Sequence, residues 1–214
     1  MSLTPPLTVM RSMVIGGSGF ALVSTAAFSI WAFVGRFLQS QLGEAGLYAV
    51  IALDFLVMSG VVLHPLIHGD KRMIRFQGVF LPAFLLYALM WSAAWFTLGL
   101  GRGEWLGSLL GCAGFAGMTT WRLGRLTTFW KSLLVLFVLH SAGYFTGSEW
   151  MAWAIQDQRP SLLSGWSSEQ VGTLAKLGWG LFYGLGFGSG IGATFALAQR
   201  SLPANDQPGE RRSA

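Results

Sequence analysis

A succession of long apolar runs constrains this chain more than any other feature. From the N-terminus they cover about residues 13–38, 47–68, 78–100, 105–121, 127–147 and 171–199. Each is close to the roughly 20 residues a helix needs to cross about 30 Å of hydrocarbon. Hydrocarbon offers the backbone no water, so only helices or closed barrels satisfy its N–H and C=O groups there. The alternation expected of barrel strands is missing from the runs. An all-α fold is therefore predicted: a polytopic integral membrane bundle of about six transmembrane helices. It forms a single membrane domain over residues 1–200, with the lipid bilayer as its first partner. Residues 201–214, SLPANDQPGERRSA, are polar with two prolines and predict a disordered cytoplasmic tail.

Composition agrees. The chain is 53% hydrophobic and 11% charged, where a soluble domain carries about 25% charged residues. The net charge of +5 would suggest nucleic acid in a soluble protein. Here the basic residues flank the apolar runs, and no nucleic-acid partner is predicted. With the N-terminus inside, Arg11, Lys71, Arg72, Arg75, Arg122, Arg125, Lys131, Arg200, Arg211 and Arg212 are cytoplasmic. Only Arg36, Arg102, Arg159 and Lys176 are left outside. Cytoplasmic loops carry the excess of Lys and Arg, so both termini are predicted to be cytoplasmic in a cell (inner) membrane. STAA, at residues 24–27, has the small residues of a signal cleavage site. The apolar run continues past it through FSIWAFVGRFL, so the first run reads as an uncleaved span.

His64 and His68 lie four residues apart in VVLHPLIHGDKR and are weak metal candidates. No third histidine is near in sequence, Pro65 disturbs the turn between them, and a charged cluster follows. They predict the end of a span rather than a metal or haem site, and no cofactor is expected. The single cysteine, Cys112, allows no internal disulfide and reads as a small hydrophobe. No P-loop or H-E-x-x-H signature is present, so catalysis is not expected.

Depth along the helices picks out one polar layer. At 1.5 Å per residue, His140 lies roughly 20 Å from the inner face, Asp54 about 21 Å and Tyr183 about 24 Å. An intramembrane carboxylate is costly, usually faces the bundle interior and marks a candidate site. The expectation is that Asp54 faces His140, with Tyr183 near, in a pocket suited to proton exchange. The alternative is a structural hydrogen bond between two helices, worth about 0.6–2 kcal/mol.

The last run repeats glycine every four residues, at Gly180, Gly184, Gly188 and Gly192, with Gly186 and Gly190 forming a second row. Such rows let helix backbones approach closely. The partner is either another span of this chain or another subunit, in a homo-oligomer or with a membrane partner. The segment 148–170 faces outward, and its Trp150 and Trp153 predict a short interfacial helix. Ser167 and Gln170 have capping-box spacing. The leading expectation is a small permease or channel-like protein moving a small solute or proton. The alternative is a non-catalytic subunit or assembly factor of a membrane complex, packing through the glycine-rich last helix.

Overall fold

The computed structural model describes residues 7–156 and 163–199, and every regular element among them is helical. The chain runs α1 (Val9–Ser29), a π-helical turn (Ile30–Val34), α2 (Gly35–Leu63) and a 3-10 turn (His64–Leu66). It continues with α3 (Arg72–Leu98), α4 (Arg102–Arg122), α5 (Phe129–Ala154) and α6 (Ser168–Gln199). The predicted tail, residues 201–214, lies outside the described residues.

Four helical stretches are long and apolar enough to cross a membrane: Val9–Leu66, Arg72–Leu98, Leu126–Ala154 and Ser168–Gln199. The first, at 58 residues, is about three times longer than one crossing requires. It is broken inside α2 at Gly43, whose φ of 71° and ψ of 178° are not helical. A positive φ of this kind is open to glycine at no steric cost. The chain folds back there: Phe20 of α1 stacks on Phe55 of α2 with ring centroids 5.6 Å apart. α4 is not among the apolar stretches, because glycine, serine and threonine replace large hydrophobes along it and charges mark its ends.

Several boundaries differ from those read in the sequence. α2 ends at Leu63 rather than His68, because Pro65 takes the chain into a 3-10 turn. α5 runs on to Ala154, so Trp150 and Trp153 belong to it and not to a separate interfacial helix. Their rings pair at 5.3 Å, and the Trp150 indole N–H donates to the Leu174 carbonyl of α6 at 3.4 Å. That contact joins the end of α5 to α6. At the start of α6 the capping box forms. The Gln170 N–H donates to Ser167 Oγ at 3.2 Å, and the Ser167 N–H to Gln170 Oε1 at 2.9 Å.

The helices pack as a closed ring in which each touches the next in sequence and α6 returns to α1. α6 is the most enclosed of the apolar stretches, with 61% of its apolar window buried against 28–33% for the others. Its glycines explain this. A methyl group on Gly184 would lie 2.5 Å from Ala21 Cα of α1, and one on Gly188 would overlap the Gly16 carbonyl. Gly180 rests on the Phe28 ring and Gly192 on the Ser12 carbonyl. The second row meets α5, where a methyl on Gly190 would lie 2.6 Å from Leu136 and one on Gly186 would overlap the Leu139 carbonyl. Both rows are occupied within the chain.

Aromatic rings fill the middle of the ring of helices. Phe76, Phe80, Phe84 and Tyr87 follow one face of α3, with successive centroids 5.1, 5.3 and 5.8 Å apart. Phe20, Phe115, Phe187 and Phe195 close on them from α1, α4 and α6. The outer surface is apolar as well. On α5, Trp130 is 74% exposed and Leu134 64%, while Ser132, His140 and Ser141 of the same helix are buried. Polar groups inside and large hydrophobes outside suit an apolar solvent and not water.

Candidate functional site

Three helices bring one histidine and two tyrosines into contact inside the bundle. His140 of α5 is fully buried. Its Nε2 lies 2.7 Å from the Tyr87 hydroxyl of α3, which in turn lies 3.2 Å from the Tyr183 hydroxyl of α6. Nδ1 of His140 is buried without a hydrogen-bond partner. Four rings box the imidazole: Tyr144 lies parallel to it at 5.9 Å and 11°, with Tyr87, Tyr183 and Phe187 at 5.5, 5.8 and 5.1 Å.

Small residues bring these groups together. The Tyr87 ring lies over Gly111 of α4, where a methyl would stand 2.7 Å from its Cδ2. Gly143, one turn beyond His140, brings α5 so close to α6 that a methyl there would stand 2.6 Å from the Phe182 carbonyl. The glycines thus set helix separations short enough for hydroxyls and imidazole to meet.

A second polar link runs toward the end of the bundle where α4 begins. Tyr144, one helical turn after His140, donates its hydroxyl to Glu104 Oε1 at 3.1 Å. The other carboxylate oxygen of Glu104 accepts the Gly101 N–H at 3.0 Å, capping α4. The indole N–H groups of Trp91 and Trp179, whose rings lie 6.0 Å from Tyr144, are buried without partners. So are the hydroxyls of Ser108 and Ser141. Buried polar groups are normally paired, and these add to the unpartnered Nδ1 of His140.

The structure brings His140 and Tyr183 together but leaves Asp54 apart. Asp54 is half-buried on α2, and its Oδ2 is shielded from solvent with no hydrogen-bond partner. α2 packs on α1 and α3, whereas α5 packs on α4 and α6. The expected Asp54–His140 pair is therefore not made. Similar depth fixes two residues at one level of a bundle but not the direction each side chain takes. Tyr87, Tyr144 and Glu104 were not singled out from the sequence. The first two carried readable signals. Aromatics recur at Phe76, Phe80, Phe84, Tyr87, Trp91 and Trp95 with the spacing of one helix face, and Tyr144 is four residues from His140.

The other two histidines occupy the turn after α2. His64 Nδ1 lies 2.8 Å from the Val61 carbonyl. His68 lies beyond the helix, with its backbone N–H donating to Gln199 Oε1 at 3.0 Å and its carbonyl accepting from Arg75. Partial burial and the nearby charges of Arg72 and Arg75 hold the His68 imidazole below its ordinary value of 6.5. The two histidines do not share a helix face, and among the described residues no three His, Cys, Asp or Glu side chains gather as metal ligands. No family model, curated protein or solved structure matches the chain.

Proposed function

We propose that the protein is a cell-membrane protein of six spans with both termini cytoplasmic, a small permease or channel-like protein that handles protons through His140, Tyr87 and Tyr183. Within the first apolar stretch, the fold-back at Gly43 supports two crossings, and α4 supplies a less apolar one sheltered by its neighbours. Arg11, Lys71, Arg72, Arg75, Arg122, Arg125 and Lys131 fall at one end of the bundle, and Arg36, Arg102 and Lys176 toward the other. That segregation supports the orientation.

The observation that carries the functional reading is His140 itself. It is fully buried, with one ring nitrogen bonded to Tyr87 and the other unpartnered. A buried nitrogen without a partner costs stability, so packing alone does not account for an imidazole there. An ionisable side chain inside a membrane bundle is a functional candidate by default, and histidine is the side chain best suited to exchange protons near neutral pH. Tyr183 continues the line on one side, and Tyr144 with Glu104 extends it toward the bundle end on the other. Asp54 is not part of this line.

The test is proton flux into liposomes holding the purified protein and an internal pH dye, driven by a potassium diffusion potential. Wild type and Asp54→Asn are expected to conduct above empty liposomes, and His140→Gln to fall to their level. Flux absent from wild type, or unchanged in His140→Gln, overturns the reading.

A further inference from the structure

The seam between α4 and α5 leads from His140 to one end of the bundle. These consecutive helices pack against each other and run in opposite directions. The Tyr144 hydroxyl of α5 donates to Glu104 of α4 at 3.1 Å. Ser108 follows Glu104 by four residues on α4, and His140 precedes Tyr144 by four on α5. Side chains four apart share a helix face. The register that pairs Glu104 with Tyr144 therefore pairs Ser108 with His140 one turn, about 5.4 Å, deeper. Trp105 agrees with that register, its ring centroid lying 4.3 Å from that of Phe145. Ser108 is fully buried, and among the described residues its hydroxyl has no hydrogen-bond partner. A helical serine has the carbonyl one turn back open to it, and Ser108 does not use it. Nδ1 of His140 is also buried and unpaired.

Glu104 stands where the seam meets the end of the bundle. It is half-buried, and Gly99, Leu100, Gly101 and Arg102 before it are exposed. One carboxylate oxygen caps the Gly101 N–H at 3.0 Å, and the other accepts from the buried Tyr144. Tyr144 is the titratable group that α5 presents to it. From α3, the first turns of α4 meet Trp91, Ala94 and Trp95, none of which is charged. Glu104 thus has solution on one side and the polar seam on the other.

We infer that His140 exchanges protons with the solution at the end where α4 begins, through Glu104, with Ser108 as the positioning residue that orders one water against Nδ1. A proton moves between groups that meet directly or through a single water, and a buried water needs two to four polar partners. With the imidazole hydrogen on Nε2 and donated to Tyr87, Nδ1 offers a free lone pair. The Glu104 carboxylate takes a proton from solution and passes it to the water, which gives one of its own hydrogens to Nδ1. The imidazole ends protonated, the water is restored and Glu104 is again a carboxylate. Release retraces the same steps. The inference rests on the reading of His140 as a proton-handling group and names its route to one side of the membrane.

Proton flux in liposomes tests it with Glu104→Gln, Glu104→Asp and Ser108→Ala, each checked for an unchanged melting temperature. Glu104→Gln keeps an oxygen for the Gly101 cap but carries no acid, and flux should fall about a hundredfold. Glu104→Asp keeps the acid and should retain most of the flux. Ser108→Ala should lower it. A second measurement does not depend on flux. In nanodiscs, with His64 and His68 replaced by Gln, magnetisation transfer from water to the His140 ring nitrogens should slow in Ser108→Ala. Flux in Glu104→Gln equal to that of a conducting wild type overturns the inference and leaves the reading of His140 standing. Unaltered water transfer in Ser108→Ala also overturns it. So does a loss in Glu104→Asp as large as in Glu104→Gln, which would make Glu104 a cap alone. A wild type that does not conduct fails the reading of His140 itself.

Discussion

Tyr87 holds the buried imidazole and joins it to the last helix. Its hydroxyl serves both His140 Nε2 at 2.7 Å and the Tyr183 hydroxyl at 3.2 Å. Tyr87→Phe removes both bonds and leaves His140 with no partner at either nitrogen, since Nδ1 already has none. The expected loss is about 1–3 kcal/mol, the cost of leaving a buried polar atom unsatisfied. Tyr183→Phe breaks only the longer bond and is expected to cost less, about 1 kcal/mol. Thermal unfolding of the two variants in detergent checks the order, and a Tyr183→Phe loss larger than that of Tyr87→Phe contradicts it. At this scale the sequence was partly legible. Counting residues along α5 and α6 brought His140 and Tyr183 to one level. The same counting could not show that Asp54 sits on a helix packed on α1 and α3, because direction depends on which helices are neighbours.

Among the elements, α6 decides how closely the bundle packs. Gly184 and Gly188 admit the α1 backbone, and Gly186 and Gly190 admit α5. A methyl on Gly188 meets the Gly16 carbonyl and one on Gly186 the Leu139 carbonyl, so backbone, not a flexible side chain, would have to move. Gly188→Ala and Gly186→Ala are each expected to destabilise by roughly 1–3 kcal/mol. Gly172, on the first turns of the same helix, has open space around it. Gly172→Ala is expected to be neutral or to stabilise by up to about 1 kcal/mol through helix propensity. Melting temperatures of the three variants separate packing from propensity, and a uniform gain would mean that the close approaches do not hold the helices. The four-residue period of the glycines was visible in the sequence. Two rows pointing to two neighbours at once were not, because spacing says that backbones approach and not whose. The gap between the runs ending at 38 and starting at 47 placed the reversal but not the residue that makes it. Its neighbours Gln39, Ser40, Gln41 and Glu44 are polar, and the positive φ of Gly43 makes it the point of reversal.

For the whole molecule, the apolar runs and the placement of charge predict a polarity that one experiment can examine. The fold-back at Gly43 puts residues near Ser40 at one end of the bundle, while the turn between α2 and α3, with Asp70, lies at the other. Both side chains are exposed. The one native cysteine, Cys112, is fully buried in the core and should stay silent toward a bulky, membrane-impermeant maleimide. Ser40→Cys and Asp70→Cys therefore report the two ends without removing any native residue that labels. In intact cells Ser40→Cys is expected to label and Asp70→Cys to remain protected, and in inverted membrane vesicles the two should exchange. The physical basis is the resistance of Lys and Arg clusters to translocation, by which the turn carrying Lys71, Arg72 and Arg75 is expected inside. Exchange in the opposite sense would invert the orientation while leaving the hairpin intact. Labelling of both positions from one side would mean that the α2 segment after Gly43 does not cross. The six-span arrangement, and with it the depth assigned to His140, would then fail together.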